Sequence, residues 1–345
     1  QHKRLLSTMK TQGFKMVEDR VRKIFVAGGA GYVGTRLCNL LADSGTHEPD
    51  YEVTVFDQFW FGDSLDDRIT KIKGDILDLK SSDLLGYDAV IFLAGLSNDP
   101  MVAYRPDLNF IQNSAAPTYL AYITKQAGIR RFIGASSCSV YGHTENKTLT
   151  ETSTVKPSYP YGISKLQCER GIMLLEDDNF KPILFRKGTV GGWSERMRYD
   201  LVVNTMLMTA FTKRKIIVNS PQLWRPLLDI RDAIQGYWLA IDLFPDSEIS
   251  GVYNLSGGNY TIGELGKIIY DTLSERGYDI ELECLDVQDI RNYKVDITKI
   301  EEELNYAPQF TPTDTVQEIL ENINLDEYDF TDDKYYNINV FKGVM

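Results

Sequence analysis

Histidine is nearly missing from this chain of 345 residues, and cysteine is scarce. The three histidines stand at positions 2, 47 and 143, and the four cysteines, Cys38, Cys138, Cys168 and Cys284, are scattered without a CxxC pair. Neither a metal site nor a disulfide framework is expected, and reduced buried thiols in a cytoplasmic setting fit better. No run approaches the roughly 18 consecutive apolar residues of a membrane span. The most apolar stretch, 89–96, has the length of a strand. Positive charge is in deficit: 37 Lys and Arg oppose 49 Asp and Glu, for a net charge of −12. Such a chain repels a phosphate polymer, which argues against a nucleic-acid binder while leaving room for a local basic pocket around one small anion. What is present is ordinary globular composition, 43% apolar, 25% charged and 11% aromatic, enough for one large domain or two modest ones. Residues 1–21 are polar, lack the apolar core of a signal peptide, and read as an amino-terminal extension.

Short apolar runs alternate with helical patterns through the first half. Runs at 23–27, 51–56, 69–73, 88–95, 131–137 and 182–186 read as strands, with helical stretches after the first glycine cluster, at 107–127 and at 161–176. This rhythm describes a parallel sheet with helices on both faces, a doubly wound α/β fold. Beyond 190 the alternation becomes irregular, with helices expected near 200–213, 231–243 and 261–276 and strands near 215–219, 224–229 and 251–256. The tail after 325 has weak periodicity.

The glycine cluster Gly28-Gly-Ala-Gly31-Tyr32-Val33-Gly34 follows a strand and opens a helix, where bare amides and the helix dipole favour a pyrophosphate. It reads both as GxxGxxG from Gly28 and as GxGxxG from Gly29, so the cluster alone does not specify the kind of dinucleotide domain. Asp57 ends the next strand, 23 residues after Gly34. An acid there accepts hydrogen bonds from the adenosine ribose hydroxyls and repels a 2′-phosphate. No arginine follows it directly, which points to NAD rather than NADP. The expected organisation is a Rossmann NAD-binding domain at 22–190 and a smaller carboxy-terminal α/β substrate domain at 191–345, with segments near 225–256 returning to the first.

Tyr161 and Lys165 stand one helical turn apart, so both sit on one helix face. An ammonium near a phenol favours the phenolate and brings the Tyr161 pKa down towards working pH. Ser136 and Ser137 end an earlier parallel strand, at the edge that lines the ligand crevice in such sheets, so Ser137 could share a substrate oxygen with Tyr161.

With these parts in this order, residues 23–320 resemble the extended short-chain dehydrogenase/reductase superfamily, in its nucleotide-sugar epimerase/dehydratase branch. The resemblance puts Asp75 and Ile76, in Gly-Asp-Ile, at the adenine, and Leu93, Ala94 and Gly95 beside the cofactor. Asn113 matches an asparagine on the central helix. The catalytic Ser falls on Ser137, and Tyr161 and Lys165 fall on the YxxxK pair. Implied roles follow: Tyr161 takes the proton from a sugar hydroxyl, Ser137 bonds that oxygen, and Lys165 holds the nicotinamide ribose. On the substrate side, Arg225 matches the arginine that binds the diphosphate, although Pro226 replaces the usual Asp. Asn204 and Arg291 resemble further diphosphate contacts. Asn98, with Asp99, follows the fourth strand and reads either as sugar-pocket lining or as a helix cap.

Two departures restrict the chemistry. Dehydratases of this branch carry an Asp-Glu pair directly after the catalytic residue, where this chain has Cys138-Ser139. Cys138 reads as a packed thiol, with an acid/base role as the alternative. The strand ending in Arg186 lacks the usual Asn and continues Lys187-Gly-Thr. The resemblance implies a C4 epimerase working on a nucleotide-diphosphate sugar through a 4-keto intermediate, as a homodimer. A 4,6-dehydratase, a 4-ketosugar reductase and a catalytically silent NAD sensor are the other readings.

Overall fold

The computed structural model describes residues 21–43, 51–243, 247–287 and 292–345. The first half runs β1 (Arg22–Ala27), α1 (Tyr32–Ala42), β2 (Tyr51–Asp57), β3 (Thr70–Lys73), β4 (Ala89–Phe92), α2 (Asp99–Tyr104), α3 (Pro106–Phe110), α4 (Ala116–Gln126), β5 (Arg131–Ser137), β6 (His143–Leu149), α5 (Pro160–Met173) and β7 (Lys181–Lys187). The second runs β8 (Thr189–Gly191), α6 (Val202–Lys213), β9 (Lys215–Asn219), β10 (Trp224–Asp229), α7 (Ile230–Asp242), β11 (Gly251–Leu255), β12 (Gly258–Thr261), α8 (Ile262–Glu275), β13 (Glu281–Leu285), β14 (Asn292–Val295), α9 (Thr298–Leu304), α10 (Pro312–Asn322) and α11 (Asn337–Val344).

Seven strands form one parallel sheet in the order β3-β2-β1-β4-β5-β7-β11. Its interior strands are apolar without alternation because both faces are covered. In β1, Ile24 and Val26 pack towards α1 and α7, while Phe25 and Ala27 pack towards α4 and α5. The strand order reverses between β1 and β4, which opens a crevice at the carboxyl ends of the strands. A smaller sheet, β12-β10-β8, and the pairs β13-β9 and β14-β6 build the wall facing that crevice. Among the described residues, no helix is long and apolar enough to cross a membrane.

The stretch 107–127 is a continuous helical run whose middle is π-helical. Arg105 leaves the helical region (φ −134°, ψ 76°) directly before Pro106, as residues preceding proline do. A single π-helical segment, Ile111–Ala115, then joins α3 to α4. The tail is also more ordered than its periodicity predicts. In α11, Phe341 is fully buried against Trp60 and Tyr104, with ring centroids 5.3 and 6.1 Å away. The carboxy terminus is thereby strapped across the crevice.

Candidate active site

The crevice has two chambers. The first lies above β1 and β4. Gly28 follows β1 with φ +84°, and a Cβ there would stand 2.2 Å from the Ala94 nitrogen. A Cβ on Gly34 would meet the Gly28 oxygen at 2.5 Å. These two glycines let the β1–α1 turn close on itself. Gly31 differs: at φ −84°, a Cβ would meet only the Gly28 oxygen, at an ordinary 3.6 Å. The chain's own packing does not require glycine there; a ligand lying on the amino terminus of α1 would. Tyr32, Val33, Ile76, Leu93, Ala94 and Gly95 line this chamber with the glycines.

Asp57, half-buried at the end of β2, accepts hydrogen bonds from the backbone N–H of Ala30 (3.0 Å) and Phe59 (2.8 Å). Burial raises its pKa, while those N–H groups and the charge of Arg196 oppose the rise. Arg196 was not anticipated. It is buried, stacks 3.9 Å above the Phe61 ring and donates to Asn337 of α11. Its Nε and Nη1, and Nη2 of neighbouring Arg198, have no partner among the described residues. Orphaned guanidinium N–H groups beside an open helix terminus suit an anionic dinucleotide.

Two expected cofactor residues sit one layer back. Asp75 caps the turn Ile76–Asp78 by accepting from the Leu77 nitrogen and takes a bond from Gln58 Nε2 (3.3 Å), outside the chamber lining. Asn113, fully buried in the π-helical segment, donates to the Leu96 oxygen (2.9 Å) and to Asn109 Oδ1 (2.8 Å). Its own Oδ1 fills the space a Cβ on Gly95 would need, at 2.1 Å. Asn113 therefore shapes the β4 loop rather than the chamber surface.

The second chamber, a cavity of about 810 Å³, continues from the first and has the size of a ligand pocket. Ser137, Tyr161, Asn98, Arg225 and Ser139 line it. Ser137 Oγ accepts from the Ser139 nitrogen (3.2 Å) and Oγ (2.9 Å), and stands near enough to the Tyr161 phenol to lower its pKa. Lys165 donates to the Ala135 oxygen at 3.1 Å, with Nζ 5.8 Å from the Tyr161 ring centroid. The expectation that Lys165 draws the Tyr161 pKa down needs correction. The protein closing around the phenol pushes it up, Asp99 adds to the rise, and the opposing pull comes from the charge of Arg198 and the Ser137 bond. Burial also lowers the pKa of Lys165, whose ammonium is turned to β5.

Behind the catalytic loop, Glu169 accepts from Ser136 and takes both Arg186 Nε (2.9 Å) and Nη2 (2.8 Å). Arg186 also donates to Tyr141, tying α5, β5 and β7 together. Cys138 is 1% exposed, gives its thiol hydrogen to the Arg186 oxygen, and has a pKa raised by burial. It is a packed thiol, and the one-residue step to Ser139 decides which side chain reaches the chamber.

On the substrate side, Asn98 both caps a helix and lines the second chamber. Its Oδ1 caps α2 by accepting from the Met101 nitrogen, and its Nδ2 reaches Asp200 at 2.6 Å on the chamber wall. Arg225, on β10, is brought to the chamber with its guanidinium 5.9 Å from the Tyr293 ring centroid. Asn204 is not brought there. It is fully buried, donating to the Arg198 oxygen (2.9 Å) and accepting from the Gly192 nitrogen (3.2 Å), so it supports the loop that carries Arg196 and Arg198. Arg291 lies outside the described residues. Lys187 and Arg198, which line both chambers, carry no local periodicity or spacing that marks them; the one signal is the absence of the usual Asn from the Lys187-Gly-Thr189 segment.

The family model described as the NAD dependent epimerase/dehydratase family matches residues 24–256. Among curated proteins, UDP-glucose 4-epimerase 3 of Oryza sativa subsp. japonica is 31% identical over 183 residues, 47% of this chain and 48% of that protein. A dTDP-glucose 4,6-dehydratase of Actinoplanes sp. is 23% identical over 310 residues, 86% of this chain and 96% of that protein. The chain spans about half the length of the UDP-glucose 4-epimerases it matches first. Among solved structures, a UDP-N-acetylglucosamine 4-epimerase from Methanobrevibacter ruminantium M1 shares the fold, with a TM-score of 0.76 at 24% identity over 88% of this chain and 100% of that one. The family match runs from β1 to the residue after β11, more than half of the chain, and the chain belongs to the NAD-dependent epimerase/dehydratase family.

Proposed function

We propose that the protein is a nucleotide-sugar 4-epimerase that holds NAD in the first chamber and the sugar nucleotide in the second. The observation that supports this reading is that Ser137 and Tyr161 line the second chamber together, with no further acid/base pair after Ser137. Bound NAD supplies the acceptor and later the donor of a hydride. The rest falls to this chain. Gly28, Gly31 and Gly34 admit the cofactor diphosphate to the α1 terminus, and Asp57 accepts from the adenosine ribose. Tyr161 takes the proton from the sugar C4 hydroxyl while Ser137 bonds the same oxygen, and the 4-keto sugar turns in the chamber before the proton returns. Lys165 orients the nicotinamide ribose, and Arg225 pairs with the substrate diphosphate.

Within this reading, residues 22–190 together with β11 serve the cofactor, and most of 191–345 serves the sugar nucleotide. The buried thiols of Cys38, Cys138 and Cys168 suit a reducing, cytoplasmic setting. Exposed Phe110, Ile111 and Tyr122 along α3 to α4 suit pairing with a second copy. The test is incubation of the purified protein with UDP-, dTDP-, GDP- and CDP-sugars and assignment of products by NMR. Inversion at C4 is expected. A 4,6-dehydrated product would make it a dehydratase, and tight NAD binding without turnover of any sugar would make it a sensor.

A further inference from the structure

Side chains at the end of β5 alternate between the two sides of the catalytic loop. Ser136 gives its hydroxyl to Glu169, and Cys138 gives its thiol hydrogen to the Arg186 oxygen, both behind the loop. Ser137 and Ser139, both half-buried, line the second chamber with Tyr161. The backbone is extended at Ser137 (φ −150°, ψ 143°), which caps the short 3-10 turn Cys138–Tyr141. Helix α5 packs closely on this turn. A Cβ on Gly162, the residue after Tyr161, would stand 2.7 Å from the Ser139 oxygen. That oxygen also accepts from the Gly142 nitrogen at 3.2 Å. The two serines are thereby held in one relation to the helix that carries Tyr161.

A serine hydroxyl has one hydrogen to donate and two lone pairs with which to accept. On Ser137 Oγ both lone pairs are taken, by the Ser139 nitrogen (3.2 Å) and by the Ser139 hydroxyl (2.9 Å). What Ser137 has left to offer is its own hydrogen. Its effect on Tyr161 has the matching sign, because it holds the phenol's pKa down, as donation to a phenolate does. A hydroxyl in this state can bond an oxygen that gains negative charge. It has no lone pair free to accept the proton of a sugar hydroxyl.

We infer that Ser139 is a positioning residue that fixes Ser137 as a pure donor, so that the sugar proton passes straight to Tyr161 and not through Ser137. The inference rests on the proton transfer proposed at the C4 hydroxyl and specifies its route. In the oxidative step the sugar O–H bond breaks and its proton joins the Tyr161 phenolate oxygen. The electron pair of that bond becomes the second C4–O bond. The C4–H bond breaks with it, its electron pair leaving with the hydrogen as the hydride that bound NAD accepts. Ser137 keeps its own hydrogen throughout and donates it to the same oxygen. The return step reverses each move.

The test follows single-turnover oxidation by the NAD-loaded protein in mixtures of H2O and D2O, with the sugar deuterated at C4 so that bond breaking limits the rate. The wild-type rate is expected to fall linearly with the deuterium fraction, because one proton is in flight. A curved dependence, the mark of two protons moving together, would show a relay through Ser137 and overturn the inference. In steady state, Ser139→Ala is expected to lower kcat about tenfold, with KM changed by no more than about twofold, and to move the ascending limb of the pH–rate profile to higher pH. Ser139→Thr, which keeps the hydroxyl, should restore both the rate and the limb. An unchanged rate and limb in Ser139→Ala would overturn the inference. So would a loss confined to KM, which would make Ser139 a direct sugar contact. Should the Ala variant not fold, the wild-type isotope dependence and the Thr variant still decide. A dehydrated or reduced product would set the epimerase reading aside and leave this test intact, since the same proton moves at the same oxygen. Failure to oxidise or reduce any sugar nucleotide would defeat both.

Discussion

Tyr161 is where chemistry and electrostatics meet. Its phenol is raised rather than lowered, so proton abstraction should grow more favourable as pH rises, with Arg198 moderating the shift. Tyr161→Phe should lower turnover by about 10²–10⁴-fold while leaving bound NAD in place, as measured by turnover and by cofactor content after gel filtration. Arg198→Met should move the ascending limb of the pH–rate profile to higher pH; an unmoved limb would take Arg198 out of the tuning. The chain order of Tyr161 and Lys165 is legible because both lie within one turn of one helix. The direction of the pKa shift is not, because it is set by the burial of the phenol, with Asp99 adding to the rise, and burial depends on elements distant in the chain.

At the scale of elements, the β1–α1 turn separates glycines that its own packing requires from Gly31, which the packing leaves open and the proposed function gives to the cofactor. Gly28→Ala, forced into positive φ and against Ala94, should destabilise by more than about 1 kcal/mol. Gly31→Ala should change stability by no more than about 1 kcal/mol and still weaken NAD binding tenfold or more, read by thermal melts and by titration. Equal loss of stability in both would contradict the assignment. In the first turn of α7, Asp232 accepts from the backbone N–H of Gln309 (2.9 Å) and Phe310 (3.1 Å). Burial, aided by Asp229, pushes its pKa up to about 7, from 3.8 in an open chain. The folded protein keeps a proton there that the unfolded chain releases. The stability from this group is therefore complete below about pH 4 and is lost as pH rises through about 7. Asp232→Asn should gain melting temperature relative to wild type more at pH 8 than at pH 5. The strand and helix positions near this region were legible from apolar runs and cap residues. The π-helical segment within 107–127 was not, because a helical pattern of apolar residues carries through it.

Across the whole molecule, the parts least visible in the sequence are those that join distant segments. Asn337 donates to Ser97 Oγ at 2.7 Å and accepts from Arg196, so three segments far apart in the chain close over the first chamber. Phe341 anchors that strap. Nothing in a weakly periodic tail distinguishes these two residues, whereas the glycine cluster and Asp57 announce themselves by spacing. Asn204 shows the converse: it matches a substrate contact in the sequence, yet its hydrogen bonds are spent on the loop behind the wall. Phe341→Ala removes a fully buried ring and should cost about 3–5 kcal/mol in the docking of α11. Release of bound NAD should then become faster, seen by stopped-flow displacement, and an unchanged release rate would show that the strap does not close the chamber. The central claim is that hydride leaves and returns to the same sugar carbon, with Tyr161 moving the proton. It is tested most directly with a nucleotide sugar carrying deuterium at C4, followed by NMR. Deuterium retained at C4 in the inverted product is the expected result, and label found at C6 beside a 4-keto group, or lost to solvent, would contradict it.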